Sequence, residues 1–114
     1  MNTYMLLMRG SQKEFCAMNE IDQKQIIQEH IKWSKTLHDS GILIGGNGMS
    51  NMTVKLITVG DQISEITQPY HFSEEELSGY YLIQARNHDE AIHIAKACPA
   101  LRHGESVEVI PLGH

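Results

Sequence analysis

No stretch of the chain reaches the roughly 18 consecutive apolar residues that a membrane-spanning helix needs, so no such helix is expected. A cationic stripe is missing as well. The nine Lys and Arg are scattered from Arg9 to Arg102 and the net charge is −5. Nucleic-acid binding relies on clustered cations that displace phosphate counterions, so DNA and RNA are excluded as expected partners. Cysteine is scarce too. Cys16 and Cys98 stand far apart with no CxxC spacing, which supports neither a disulfide framework nor a thiolate metal site. The first ten residues, MNTYMLLMRG, lack the cationic start and small-residue cleavage pattern of a signal peptide. Free thiols and a cytoplasmic location are the expectation.

There are 114 residues, enough for one domain over 1–114, with 41% hydrophobic and 20% charged residues; these values lie near globular averages and exclude disorder. A core of this size is thin, because folding hides only about two-thirds of the unfolded surface in so short a chain. Self-association would help it.

Residues 4–9 form a short apolar run ended by Gly10, suited to a strand. Asn19 then heads a helical pattern over 19–40, with Ile26, Ile27, His30, Ile31, Trp33 and Leu37 at helical spacing and Gly41 after it. Residues 42–44 read as a strand entering a glycine loop at 45–48. Runs 54–59 and 62–67 flank Gly60-Asp61, which suits a two-residue type II′ hairpin turn. Ser73 and Glu76 carry the spacing of a capping box, which predicts a helical turn over 74–77 before Gly79. A strand over 80–86, a helix from Asn87 to the residue before Pro99, and a strand over 106–111 complete the chain. The expected fold class is α+β: a ferredoxin-like antiparallel sheet with two helices on one face. Residues 4–8 and 80–83 are apolar at odd and even positions alike, so the second face also needs burial, which a homodimer would supply.

Four segments, YMLLMRG (4–10), GILIGGNG (41–48), LSGYYLIQARNHDEAIHIAKACP (77–99) and VEVIPL (107–112), together resemble the YCII-related proteins, many of which carry a DGPF tetrapeptide. The resemblance implies a dimeric α/β barrel with a pocket between the 19–40 helix and the sheet. It also implies a histidine at position 30, and for some relatives an association with alternative sigma factors. The DGPF position falls on Thr67, Gln68, Pro69 and Tyr70, so the acid is replaced by a threonine. A hydroxyl is no base near neutral pH, and a catalytic reading loses that carboxylate.

His30 is the first candidate site residue, as a general base or as a group that orients a small ligand, because imidazole exchanges protons near neutrality. The competing reading is a hydrogen-bonded packing residue. Tyr70 and His71 are ligand candidates placed by the resemblance near the pocket mouth; the alternative is an ordinary surface loop. Tyr81 and Arg86, with Tyr80, are candidates from the central strand, where aromatic pairs usually serve packing. GGNG at 45–48 lacks the Lys-Ser/Thr of a phosphate loop and reads as a close backbone approach. No cofactor motif appears. His30 and His38 are eight apart and His88 and His93 five apart, which is not the i, i+4 spacing that places two imidazoles on one metal, and His103 is expected to be exposed. Cys98 is expected on the buried side of the second helix and Cys16 in a loop. Three function classes follow: an enzyme acting on a small molecule, a non-catalytic binding or regulatory module, and a structural dimer without ligand.

Overall fold

The structure is a computed structural model that describes residues 1–49, 52–69 and 76–113. Its order is β1 (Asn2–Gly10), α1 (Gln12–Ala17), α2 (Glu20–Asp39), β2 (Leu43–Gly48), β3 (Met52–Val59), β4 (Gln62–Pro69), β5 (Glu76–Ala85), α3 (His88–Ala95), a 3₁₀ helix (Pro99–His103) and β6 (Ser106–Leu112). Four strands form one antiparallel sheet in the order β2-β5-β1-β6, and β3 and β4 form a separate two-stranded sheet. With that hairpin set aside, the connectivity is β-α-β-β-α-β.

Alternation along β1 and β5 decides the core. Leu6 pairs with Tyr81 and Tyr4 with Ile83, so these side chains share one sheet face, and all four are buried. Leu37 of α2 and Ala91 and Ala95 of α3 join the same cluster, which puts both long helices on that face. The opposite face carries Met5, Leu7, Leu82 and Ile110 in cross-strand register.

The 19–40 helix stands as α2, capped at Asn19, whose side chain accepts from the Asp22 N–H at 2.8 Å. Gly41 follows with φ +73, in the left-handed region that suits glycine. The hairpin also stands, two residues longer at its open end than the sequence pattern indicates. Gly60 has φ +63 and among the described residues, Asp61 included, no non-glycine residue has positive φ, as a type II′ turn requires.

Four expectations need correction. Residues 12–17, taken as a loop holding Cys16, form α1; Ser11 accepts from the Glu14 N–H at 3.1 Å and nucleates it. The glycine loop at 45–48 is strand: β2 runs through it, and a side chain at Gly46 would collide with the Tyr80 carbonyl and the Tyr81 ring. Glu76 and Leu77 belong to β5 rather than a helical turn, because they pair with the end of β1. The second helix ends at Ala95, short of Pro99, and Cys98 lies beyond it, buried, with Sγ 3.9 Å from the sulfur of Met8.

Two register shifts interrupt the sheet, one toward each end of β5. Met8 pairs with Gly79 and Arg9 with Leu77, which leaves Ser78 as the extra residue; Leu43 and Gly45 pair with Ile83 and Leu82, which leaves Ile44 extra. Bulges of this kind re-aim side chains. Ser78 is thereby brought to the wall of a cavity.

Candidate functional site

The side of α2 turned toward the sheet is only partly in contact with it. Leu37 is its one buried residue, while Ile26, Ile27, His30 and Ile31 line a cavity of 490 Å³ over the end of the sheet that carries Ser78. That volume falls in the range of ligand pockets, roughly 300 to 1,000 Å³. α1 supplies Phe15, and its C-cap residue Met18, as a further wall. It is fixed there by the Gln23 amide, which donates to the carbonyls of Phe15 at 3.0 Å and Met18 at 3.1 Å.

His30 and Tyr81 meet on the cavity wall, with Nδ1 2.6 Å from the phenolic oxygen and the rings stacked at 5.9 Å. Trp33 packs edge-on against the other ring at 5.1 Å and holds Tyr81 in place. Burial pushes the Tyr81 phenol well above its ordinary range, so it keeps its proton. His30 is pushed below its ordinary value, first by burial and then by the charge of His103, with Glu29 opposing. The imidazole is therefore neutral at neutral pH and holds one proton and one lone pair.

His103, expected to be exposed, is half-buried on the same cavity wall, and its Nε2 bonds the Glu29 carboxylate. Arg102 Nη2 stands 3.8 Å from the same oxygen. The hydrogen bond from His103 holds the Glu29 carboxyl below its ordinary range, with the charges of His103 and Arg102 adding to it. The misreading of His103 has a local cause: Pro99 starts a 3₁₀ turn that folds residues 99–103 back toward α2, where a loop would have left them in solvent.

Gly104, at φ +79, reverses the chain and brings Glu105 to the cavity as well. Burial raises the Glu105 carboxyl above its ordinary value, while the Ser78 hydroxyl beside it and the charge of His103 pull it down. Neither His103 nor Glu105 was found from sequence. The available signal was the Pro-to-Gly span at 99–104, which marks a short turn between helix and strand.

The other sequence candidates fall elsewhere. Arg86 projects at the far end of β5, where its Nε is 2.5 Å from Glu90 Oε2, and it does not line the cavity. Tyr70 and His71 lie outside the described residues. Thr67 is exposed on β4 opposite Val54. Among the described residues no group of three or more His, Cys, Asp or Glu side chains could hold a metal ion, and no helix is long and apolar enough to cross a membrane.

The model of the YCII-related domain matches residues 3–112. The chain belongs to the YCII-related family. No functionally curated protein matches it. This YCII-related protein thus combines a family fold with a cavity whose polar groups include His30, Tyr81, His103, Ser78 and Glu105.

Proposed function

We propose that this YCII-related protein binds a small molecule in the cavity beneath α2 and that His30 acts on it as a general base. The observation that carries the reading is the 2.6 Å contact between His30 and Tyr81 on the wall of that cavity. A base at Nε2 requires the proton on Nδ1, donated to the Tyr81 oxygen; a phenol is competent to accept it. Burial keeps the imidazole in the neutral form that a base needs.

A screen of metabolites by thermal shift tests the reading on wild type and His30→Ala. A ligand at about 100 times its dissociation constant stabilises by about 2.7 kcal/mol. A ligand whose stabilisation survives the substitution in full would remove His30 from the site. Nitrogen chemical shifts of the imidazole report the tautomer, and a proton fixed on Nε2 would rule out the base at that atom.

A non-catalytic binding module is the second reading, favoured by Thr67 in place of the family acid and by its exposed position on β4. Binding without turnover of any ligand found in the screen separates it from the first.

The finer architecture is part of the proposal. We read the protomer as ferredoxin-like and the working unit as a homodimer forming an α/β barrel. Its support is the sheet face bearing Met5, Leu7, Leu82 and Ile110, which lies opposite both long helices. A monomer in sedimentation at micromolar concentration would overturn the dimer. A cytoplasmic location belongs to the same reading.

A further inference from the structure

Charge is distributed unevenly around the cavity. Two carboxyls, Glu14 and Glu105, line it, and among the described residues no Lys or Arg does. The guanidinium of Arg102, next to His103 in the chain, is turned to Glu29. A carboxylate or phosphate entering here would lose its hydration and meet no Lys or Arg among the described residues, and the imidazole of His103 is already bonded to Glu29, so its entry is expensive. Phe15, Met18, Ile26, Ile27, Leu43 and Met49 make the rest of the wall largely apolar.

Glu105 is built into this wall. A methyl at Gly10 would collide with the Glu105 side chain as it stands, so the carboxyl lies directly over the end of β1. The Ser78 bulge brings a hydroxyl beside it, and the left-handed turn at Gly104 sets its approach.

We propose that the cavity takes an uncharged, largely apolar compound bearing a carbonyl oxygen, and that Glu105 is the hydrogen-bond donor that holds this oxygen. The proposal rests on the reading of the cavity as the ligand site and adds the class of ligand. Glu105 donates only while it carries its proton, which its burial against Gly10 favours. Its charge is set by burial, by Ser78 on β5 and by His103 on the 3₁₀ helix; the other titratable groups on this side are the Cys98 thiol, kept neutral by burial with its value pushed up to about 11, and the cavity-lining Glu14 of α1 and His30 of α2. Once ionised, Glu105 repels a carbonyl oxygen, so affinity falls as pH rises through its folded value, which burial sets above the ordinary 4.5.

Acetophenone and benzoate make a matched pair of probes, alike in ring and size and different in charge. Each is titrated into nitrogen-15-labelled wild type, Glu105→Gln and His30→Ala, with amide shifts read at residues 103–106 and on α2. Acetophenone is expected to shift these amides and to bind at least about tenfold more tightly than benzoate, an effect of the size of one hydrogen bond and one unpaired charge. Its affinity should decline with pH in wild type and stay level in Glu105→Gln, whose amide donates without titrating. Benzoate binding as tightly as acetophenone, or an identical pH profile in the Gln variant, would overturn the proposal. If benzoate binds well and His30→Ala abolishes it, the cavity reading stands and only the ligand class falls. Cavity amides unmoved by both probes would also reject the class, whereas the metabolite screen decides separately whether the cavity binds anything.

Discussion

The face of the sheet that carries both long helices is filled at one end and hollow at the other. Under α3 the contacts are made by small side chains, Ala91 and Ala95 with Ala100 and Cys98 beyond, and all four are buried. Under α2 the corresponding positions are Ile26, Ile27, His30 and Ile31, none of them buried, and the space between them and the sheet is the cavity. Alanine lets a helix approach closely enough to exclude water. The larger residues of α2 are held away from the sheet, with α1 and the 99–105 turn closing the sides. Apolar surface left uncovered in this way, with His30 and Glu105 among it, is what a ligand would complete.

The largest expected effect tests that contrast directly. Ile83 is 0% exposed and Ile27 is 48% exposed. Ile83→Ala should cost about 3 kcal/mol of stability through lost burial and a cavity that cannot fully collapse. Ile27→Ala should cost less than about 1 kcal/mol, because its side chain already faces open space. Urea unfolding measures both, and equal losses would mean that the two ends of the face are packed alike.

The filled end was far more legible in the sequence than the hollow one. The continuous apolar runs of β1 and β5 and the alanines of the Asn87 helix mark buried elements from residue types alone. The place of His30 on the sheet-facing stripe of α2 could also be read, because helical spacing fixes it. The cavity could not, since it depends on what Ile26, Ile27 and Ile31 fail to touch. His103 and Glu105 were missed because their position comes from a 3₁₀ turn and a left-handed glycine, which carry no periodicity. α1 was missed although Ser11 and Glu14 have capping-box spacing, because six residues give too little pattern to separate a helix from a loop.

Tyr81→Phe sharpens the comparison within the cavity wall. The ring remains and its packing with Trp33 is kept, while the hydroxyl bonded to His30 goes. Stability should fall by about 1 kcal/mol, the usual net worth of one hydrogen bond. The more telling readout is the His30 imidazole, whose nitrogen shifts should move toward a mixture of tautomers. Unchanged shifts would show that Tyr81 does not set the proton position.

The hollow end should also dominate the pH dependence of stability, through two groups of opposite sign. His30 is below its ordinary value of 6.5, so the unfolded chain binds its proton more readily and stability is lost as pH falls beneath 6.5. Glu105 is above its ordinary 4.5, so its contribution is present below 4.5 and is lost as pH rises through its folded value. His30→Gln should flatten the first slope and Glu105→Gln the second, in unfolding curves measured across pH. A single slope unaffected by either variant would place the titrating groups outside the cavity.

The smallest effect is expected at Arg86, which sequence reading grouped with Tyr81 as a ligand candidate on the same strand. Its side chain is 79% exposed, and its pair with Glu90 is an i, i+4 contact at the surface. Such pairs are worth roughly 0 to 1 kcal/mol, since water and salt screen them and two side chains lose freedom to form them. Arg86→Ala leaves the backbone N–H of residue 86 donating to Glu90 Oε1, seen at 3.2 Å, so the start of α3 keeps that tie. Stability should change by less than about 0.5 kcal/mol, and ligand affinity should not change at all. A loss of affinity in this variant would move the site along β5, away from the hollow end and toward α3, and would break the division between the two halves of the face.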